Sequence, residues 1–392
     1  MIEIGLVGCP SSGKSTFFKA ATLKDVKIAS YPFTTLEPNE GLGYVKVKCP
    51  CQEIGLQEKC KKCLNGVRFV PVKIWDVAGL VPDAHLGRGR GNAFLDDLMQ
   101  ASVLIHILDV SGKTDSEGNP TESFDPSKNI EMLEREIDYW LFGLVKKDWN
   151  ELRKGKKNFM ETFTKRFSGL SIRAGHIENA LQTADLNPDE IDKWSEDELM
   201  LFVSEMRKQA KPILVFANKI DIPEAKENFE QLKKRYPDIK IIPGSAEAEL
   251  ALREASIHGM INYIPGSSEF AVADESKLTD KQKKALEFLK KFLDEHKNTG
   301  VQECLNTAVF DILKMIVVYP VEDEHKYTDK KGNVLPDALL LPAGSTPKDL
   351  AYKIHEDIGK HFIAAVDART HQQISSDYIL KNGDIISIRS GR

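Results

Sequence analysis

The sequence predicts an α/β protein: a P-loop fold with a helical insertion, followed by a small α+β module. Three observations support this fold class. Short apolar runs alternate with helix-forming segments through the first 110 residues, as in a parallel sheet with crossover helices. A glycine-rich turn joins the first apolar run, residues 2–7, to the first helical segment. Beyond residue 316 short strands and turns dominate, interrupted by one helix that begins with an N-capping Thr346 and Pro347.

Length, charge and apolar runs limit the class of protein. The chain has 392 residues, more than one hydrophobic core usually organises, so we expect at least two domains. Its 54 basic and 59 acidic side chains give a net charge of −5, and nucleic-acid contact would therefore need a local basic patch. Glu3 lies inside a strand pattern at the N-terminus, so no signal peptide is expected. The apolar runs are too short to span a bilayer, and we expect a cytoplasmic protein with no membrane contact.

Changes in composition divide the chain into segments. We expect a sheet domain over residues 1–315 and a C-terminal module over residues 316–392. A long stretch rich in helix formers and charges separates two buried strand patterns, which predicts a helical insertion at residues 112–211. Residues 44–72 are expected to form a hairpin that carries four of the six cysteines.

Residues 8–15 match the phosphate-binding loop pattern, a glycine-rich turn between a strand and a helix. Glycines let the backbone approach phosphate groups, and the amides at the helix N-terminus point at them. In this pattern Lys14 neutralises the β and γ oxygens, and Ser15 binds Mg²⁺. The sequence therefore predicts a nucleoside triphosphate site whose loop residues are Gly8, Pro10, Ser11, Ser12, Gly13, Lys14, Ser15 and Thr16.

A second motif follows the apolar run at residues 70–75. Asp76 ends this run, where its carboxylate would hold Mg²⁺ through water, and the amide of Gly79 would sense a γ-phosphate. Taken alone, Asp76 could equally be a structural acid at the end of a strand, with its carboxylate accepting hydrogen bonds from nearby backbone amides. The motif indicates a nucleotide site only in combination with the phosphate-binding loop that precedes it.

Two further motifs predict recognition of guanine. Asp221 follows a buried run, and its carboxylate would accept the paired N1 and N2 donors of guanine while the Lys219 stem covers the base. Taken alone, Asp221 could be a helix cap or turn residue. Four motifs in this order, each after a predicted strand, favour a guanine-nucleotide site. Its base-binding residues are Asn218, Lys219 and Asp221, with Ser245, Ala246 and Glu247 offering backbone groups to the guanine O6.

Several segments give the chain a resemblance to a known family. Residues 31–35, 76–81 and 87–97 resemble the switch regions of the Obg superfamily of translation GTPases, and the helical insertion is similar to the YchF-related branch of archaea and fungi. Residues 341–351 and 382–386 resemble a TGS domain, a ubiquitin-like β-grasp module. The resemblance implies a G domain that works as a GTP-binding and GTP-hydrolysing switch on ribosomes or RNA.

The resemblance also implies roles for residues in the switch regions. Thr35 becomes the switch I ligand of Mg²⁺, with Thr34 as second candidate, and Lys14, Thr35 and Gly79 become the catalytic residues. Leu80 stands where Ras-like proteins have a water-orienting glutamine, so slow intrinsic hydrolysis is predicted. His85 is a candidate replacement for that glutamine, although an exposed loop histidine is the favoured interpretation.

Alternative functions remain open at this point. YchF proteins that prefer ATP replace the guanine-reading pattern, which is intact here, so GTP is expected over an ATP-hydrolysing YchF-like regulator. A metal-handling GTPase that uses the cysteine cluster is a further alternative. Residues 146–166 carry eight Lys or Arg and three acids, which fits contact with RNA phosphates and a solvated helix face equally well.

The predicted hairpin contains four cysteines within a stretch of fifteen residues. They are Cys49, Cys51, Cys60 and Cys63. Two close pairs on a hairpin can converge tetrahedrally on Zn²⁺, which would stabilise a segment too short to have its own core. A structural zinc is therefore predicted, with reduced surface thiols or a regulatory disulfide as the alternatives. Cys9 and Cys304 are expected to be small packing residues.

Overall fold

The computed structural model describes residues 1–23, 39–77, 79, 81–86, 100–154 and 158–391. A six-stranded sheet forms the base of the N-terminal part. Its strands are β1 (Glu3–Val7), β2 (Glu40–Lys48), β3 (Val67–Asp76), β4 (Val103–Asp109), β5 (Ile213–Asn218) and β6 (Ile241–Pro243). They lie in the order β2-β3-β1-β4-β5-β6. β2 is antiparallel to β3, and the other neighbours are parallel, so the carboxyl ends of five strands share one edge.

Helices flank this sheet. They are α1 (Lys14–Thr22), α6 (Ala225–Arg235), α7 (Ala246–Ile257), α8 (Asp280–His296) and α9 (Val301–Asn306), with a short two-stranded sheet of β7 (Ile261–Tyr263) and β8 (Phe270–Val272). Side-chain caps fix where two of the helices begin. The Ser245 hydroxyl accepts from the Ala248 amide at the start of α7, and Thr279 forms a capping box with Gln282 at the start of α8.

Four α-helices of the described residues lie between β4 and β5. They are α2 (Ser127–Lys154), α3 (Phe159–Phe167), α4 (Ala174–Thr183) and α5 (Glu196–Ala210). Aromatic side chains fill their shared core: the rings of Trp149 and Trp194 stack 5.7 Å apart, and Phe163 meets Phe202 edge-on at 5.6 Å. The sequence predicts a helical insertion over residues 112–211, and the first α-helix after β4 in the described residues begins at Ser127. In a turn before this helix, Gly118 packs on Pro10 of the phosphate loop.

A five-stranded sheet forms the C-terminal part. Its elements are β9 (Met315–Val321), β10 (Leu339–Pro342), α10 (Pro347–Ile354), α11 (Glu356–Lys360), β11 (Phe362–Asp367), β12 (Gln372–Ile374) and β13 (Ile385–Ser390), with strand order β10-β9-β13-β11-β12. The predicted N-cap of α10 is present, since Thr346 and Asp349 form a capping box with Pro347 at the first helical position. Leu350 on this helix packs on Val318 and Ile386 of the sheet. The predicted fold class, an α/β P-loop domain followed by a small α+β β-grasp module, is confirmed.

One apolar core runs from the first sheet into the second. It contains Ile74 of β3 and Phe216 of β5 together with Val317 and Tyr319 of β9, all at most 1% exposed. The C-terminal module is therefore docked on the larger domain through side chains that are buried from water. Across the described ranges, no helix has the length and apolar character that crossing a membrane would require.

Candidate nucleotide-binding site

The loop between β1 and α1 is shaped by glycines. A Cβ on Gly8 would lie 2.6 Å from the carbonyl oxygen of Ile107, and a Cβ on Gly13 would lie 2.2 Å from Nδ2 of Asn218. Gly13 also has a φ of 91°, in the left-handed region, as does Ser11 at 62°. Larger residues at either glycine would push the loop away from the strands behind it. α1 begins at the next residue, so the unpaired amides of its first turn lie at this loop.

Three side chains converge where α1 meets the end of β3. Lys14 Nζ forms an ion pair with Asp76 Oδ1, and Ser15 Oγ lies 3.5 Å from Asp76 Oδ2. Gly79 lies next to the loop, since a Cβ there would be 3.7 Å from Cγ of Pro10 and 3.8 Å from the Gly8 carbonyl oxygen. An ammonium group, a hydroxyl and a carboxylate are thus gathered in front of the helix N-terminus.

Asn218, the last residue of β5, connects the loop to the next strand. Its Nδ2 donates to the Ser12 carbonyl oxygen at 2.8 Å, and its Oδ1 accepts from the Ala246 amide at 3.0 Å. The neighbouring Lys219 has a φ of 67° and donates from Nζ to the Ser11 carbonyl oxygen at 2.9 Å. Two adjacent side chains therefore hold two successive carbonyls of the phosphate loop.

The remaining predicted base-binding residues lie at the same edge of the sheet. Asp221 is exposed, two residues beyond Lys219. Ser245 and Ala246 are buried, and their amides donate to the carbonyl oxygen of Thr299 and to Asn218 Oδ1. Glu247 is the exposed residue of this triplet.

Sequence analysis missed the buried carboxylate of Asp109 at the end of β4. It accepts from Lys219 Nζ at 2.7 Å, from the Ser111 amide at 3.0 Å and from Thr114 Oγ1 at 2.7 Å. The signal was present, because Asp109 ends a buried strand next to β1, as Asp76 does on the other side. This carboxylate fixes the lysine that spans the loop.

A turn at residues 113–119 packs over the outer side of the phosphate loop and was also missed. A Cβ on Gly118 would lie 2.7 Å from Cβ of Pro10, and Ser11 Oγ donates to the Gly118 carbonyl oxygen at 3.4 Å. Asp115 stabilises the turn by accepting from the Asn119 amide at 2.8 Å. Burial, and then the nearby Asp115 carboxylate, raise the pKa of Cys9 to about 12, so this thiol is a protonated packing residue as expected.

His85 differs from the sequence-based interpretation of an exposed loop histidine. Its side chain is only 20% exposed, its Nδ1 lies 2.6 Å from Oε2 of Glu136, and its ring stacks on Tyr139 at 5.0 Å. The Glu136 carboxylate also accepts from the backbone amides of Asp83 and His85. The interpretation was wrong because a buried acid on α2, fifty-one residues away, holds the ring.

Comparison with known proteins decides the family. Residues 3–142 match a profile described as 50S ribosome-binding GTPase, residues 216–323 match the Obg-like GTPase YGR210-like, G4 motif-containing domain, and residues 325–390 match the TGS domain. An uncharacterized GTP-binding protein of Methanocaldococcus jannaschii is 48% identical, in an alignment that covers 100% of this chain and 99% of that protein. The chain belongs to the YchF/Obg-like family of GTP-binding proteins.

Two further relatives are similar to this YchF/Obg-like chain over nearly its whole length. A GTP-binding protein from Pyrococcus horikoshii OT3, solved by crystallography, is 39% identical with a TM-score of 0.77, and each chain is covered over 100% of its length. A protein named Ribosome-binding ATPase YchF from Buchnera aphidicola is 26% identical, with 98% of both chains covered.

The geometry of the phosphate loop fits the nucleotide and Mg²⁺ that the YchF/Obg-like family implies. Ser12 Oγ is buried in the loop and, within the described ranges, has no hydrogen-bond partner. Together with the helix N-terminus and Lys14 it forms a donor set suited to an anionic phosphate chain. Ser15 and Asp76 supply the hard oxygen ligands that Mg²⁺ prefers. The proposed ligand Thr35, its alternative Thr34, and Leu80 lie outside the described residues.

The structure also gathers the four hairpin cysteines. All four Sγ atoms lie within 4.8 Å of one another, and three of the four residues are buried. Cys9 and Cys304 lie apart from them as buried free thiols, in agreement with the sequence analysis. The hairpin cluster is separate from the nucleotide site, because it lies at the opposite ends of β2 and β3 from Asp76.

Proposed function

We propose that this chain is a Mg²⁺-dependent GTPase switch that acts on a ribosome- or RNA-containing partner. The observation that carries the proposal is the pair of hydrogen bonds from Asn218 and Lys219 to the phosphate loop. They support the proposal because they attach Asn218 and Lys219, which lie just before the proposed base-reading residue Asp221, to the loop that would hold the phosphates.

Each residue at the phosphate end has a separate role. The loop amides and the Lys14 ammonium would hold the β- and γ-phosphate oxygens, which requires the Lys14 ion pair with Asp76 to open. Ser15 and Asp76 would hold Mg²⁺, which would neutralise charge on the transferred phosphoryl group, and Thr35 is the proposed further ligand. The Gly79 amide, next to Pro10, senses the γ-phosphate.

At the base end Asp221 accepts the two donor groups of guanine that adenine lacks. The Lys219 stem, held between Asp109 and the Ser11 carbonyl, covers the base plane. The Ser245 and Ala246 amides already donate within the chain, so a backbone donor to the guanine O6 at this triplet would come from Glu247. Asp221 and Lys219 favour GTP over the ATP of the bacterial YchF name.

Hydrolysis without a partner is expected to be slow. Leu80 replaces the water-orienting glutamine, and the His85 ring is engaged with Glu136 and Tyr139. A group that orients the attacking water must therefore come from a partner or from movement of this segment. Single-turnover hydrolysis with and without purified ribosomes measures this directly. Stimulation by ribosomes supports the proposal, and rapid hydrolysis by the chain alone contradicts it.

The names of a matching profile and of a similar protein support the proposal of a ribosomal partner. The matching N-terminal profile is described as 50S ribosome-binding GTPase, and the Buchnera relative is named a ribosome-binding ATPase. We infer a cytoplasmic protein on the same basis. The TGS domain supplies a second surface for such a partner.

Asp221→Asn tests the base assignment. An amide presents a donor where guanine also has donors, whereas xanthine offers an acceptor at that position. We expect GTP affinity to fall by roughly 10- to 100-fold, the cost of one charge-assisted hydrogen-bond pair, and affinity for xanthosine triphosphate to rise. Asp238→Asn, at an exposed acid beyond α6, is the matched control. Unchanged GTP affinity in Asp221→Asn would remove guanine reading from this residue.

A further inference from the structure

The four sulfurs of the hairpin are arranged as the ligands of a single metal ion. Cys49 Sγ lies 3.9 Å from Cys60 Sγ, Cys51 Sγ lies 3.6 Å from Cys63 Sγ, and no pair is more than 4.8 Å apart. A tetrahedral Zn²⁺ with Zn–S bonds of about 2.3 Å holds its sulfurs about 3.8 Å apart. Small changes in the six distances between the sulfur atoms would therefore allow all four to bind one ion. The sulfurs are too close together to surround a cluster of several irons.

The backbone holds the two cysteine pairs against each other. The Cys49 amide donates to the Gly66 carbonyl oxygen at 2.8 Å, which closes the base of the segment between β2 and β3. Inside it, the Leu56 amide donates to Cys51 and the Cys60 amide donates to Leu56, at 2.8 and 3.0 Å. Backbone turns thus bring the four sulfur atoms together. A segment of this length has few apolar side chains of its own, and a metal ion is the usual substitute for a core.

A buried cation beside the cluster provides an independent observation. Arg68 is 1% exposed, and it lies on β3 opposite Val47, two residues beyond Gly66, whose carbonyl oxygen accepts from the Cys49 amide. Its Nη2 donates to the Leu335 carbonyl oxygen and its guanidinium lies 5.7 Å from the centre of the Tyr319 ring, but Nε has no hydrogen-bond partner and no carboxylate in the described part of the chain pairs with it. A buried charge without a counter-charge is strongly unfavourable.

A metal tetrathiolate resolves this imbalance. Four thiolates and one Zn²⁺ carry a net charge of −2, which is the counter-charge that the Arg68 guanidinium lacks. Four neutral thiols would leave the guanidinium buried next to apolar sulfur. The charge on Arg68 and the distances between the sulfurs thus lead independently to the same ligand.

The cluster lies at the interface with the C-terminal module. Cys49, Cys51 and Cys60 belong to the apolar core that also contains Tyr319 and Leu335. At the rim, Arg369 Nη1 of the module lies 2.9 Å from Oε2 of Glu53 in the hairpin. Both the buried and the exposed contacts between hairpin and module therefore depend on the shape of the cysteine segment.

We propose that Cys49, Cys51, Cys60 and Cys63 bind one Zn²⁺ and that this ion fixes the surface on which the C-terminal module docks. The ligand set is closed, with four protein sulfurs and three of the four residues buried, which is the arrangement of a structural ion. It leaves no open position for a substrate or for rapid transfer of the metal. This inference does not depend on the nucleotide that the chain binds.

Metal analysis of the full-length chain tests the ligand. After dialysis against a mild chelator we expect about one zinc per chain, retained through exchange of GTP for GDP. Cys60→Ser should lose the zinc, whereas Cys304→Ser, at a buried thiol outside the cluster, should keep it. Chains without metal, chains that contain iron, or zinc that exchanges rapidly with the chelator would each overturn the proposal.

A second measurement covers the case in which Cys60→Ser does not fold. Wild-type chain stripped of metal with a strong chelator is titrated with Co²⁺ alone, and a tetrahedral thiolate site gives intense visible absorption. Cys63→Ser, at the one half-buried ligand, should weaken this absorption, and Glu53→Ala should leave it unchanged. Absence of the absorption in folded wild-type chain would contradict the site.

Hydrogen exchange tests the docking role. Removal of zinc should increase exchange in residues 322–338, which receive the Arg68 hydrogen bond, while β5 keeps its protection. Addition of Zn²⁺ should restore the original pattern. Unchanged exchange in residues 322–338, or an equal increase in β5, would show that the ion does not act at this interface.

Discussion

Asn218 donates a 2.8 Å hydrogen bond to the carbonyl oxygen of Ser12 and accepts a 3.0 Å hydrogen bond from the amide of Ala246. One buried side chain thus connects three segments that are far apart in the sequence: the phosphate loop, the end of β5 and the start of α7. The proposed guanine pocket depends on this connection, because it sets the distance between the phosphate and base ends.

Asn218→Ala tests the connection. It leaves a buried carbonyl and a buried amide without partners, at a cost of about 1–3 kcal/mol each in the free energy of unfolding. We expect reduced stability in urea denaturation and weaker GTP binding in calorimetry. Asn150→Ala, at an exposed asparagine of α2, is the control and should change neither quantity. Normal GTP affinity in Asn218→Ala would show that the pocket does not need this residue.

Two glycine substitutions should have opposite effects. Gly13→Ala places a methyl group 2.2 Å from Asn218 Nδ2 at a φ of 91°, so we expect loss of nucleotide binding and a destabilisation of about 1–3 kcal/mol. Gly143→Ala, inside α2, meets nothing within 4 Å and should stabilise the chain by about 0.5–1 kcal/mol. Thermal denaturation measures both. Equal effects of the two substitutions would contradict the loop geometry.

The Glu136 carboxylate holds the segment that follows β3. Although burial opposes ionisation, hydrogen bonds from His85 and from the backbone amides of His85 and Asp83 lower the pKa of Glu136. Its stabilising effect is therefore present above its ordinary pKa of 4.5 and is lost as pH falls through the lowered value. We expect Glu136→Gln to destabilise the chain by about 1–3 kcal/mol at pH 7.

The pH dependence provides the check on Glu136. The stability difference between wild type and Glu136→Gln should shrink as the solution is acidified below pH 4.5, since the carboxylate becomes protonated. Glu178→Gln, at an exposed acid of α4, should show little difference at any pH. A difference that stays constant with pH would mean that the Glu136 charge is not what holds His85.

We predict a separate loss of stability in weak acid because the His106 side chain on β4 is buried. Burial lowers the pKa of His106 from 6.5 to about 3, and both ring nitrogens lack partners in the described part of the chain. Below pH 6.5 the unfolded chain binds a proton there that the folded chain does not bind. The free energy of unfolding should therefore fall by about 1.4 kcal/mol per pH unit between pH 6.5 and 5 from this residue.

His106→Leu removes this proton while keeping the site apolar. Urea denaturation at pH 5 and pH 6.5 should show a smaller acid-dependent loss in His106→Leu than in wild type. Removal of the exposed His258 by His258→Gln should leave the loss as it is in wild type. An unchanged loss in His106→Leu would show that other groups cause it.

Much of the fold could be predicted because its signals are local. The phosphate loop, the strand that ends at Asp76 and the capping box at Thr346 each depend on residues that are close in sequence. The grouping of the four cysteines could be predicted because a hairpin brings the two ends of the intervening segment together. Domain boundaries and the roles of site residues remain predictions from these same signals.

The contacts that sequence analysis missed join residues far apart in the chain. Lys219 reaches Asp109 across 110 positions, and His85 reaches Glu136 across fifty-one. Neither spacing follows from helix or strand periodicity, so only the packed structure reveals the pairs. The turn around Gly118 was missed for the same reason, because its partner Pro10 lies 108 positions earlier in the chain.

Calorimetric titration of the full-length chain with GTP, GDP and ATP in the presence of Mg²⁺ tests the central claim most directly. We expect both guanine nucleotides to bind with dissociation constants of about 1 μM or lower and ATP to bind at least about tenfold more weakly. Lys14→Ala should weaken GTP more than GDP, because only GTP offers a γ-phosphate to its ammonium. If neither guanine nucleotide binds to folded chain, or if ATP binds more tightly than GTP, the pocket described here is not a guanine-nucleotide site.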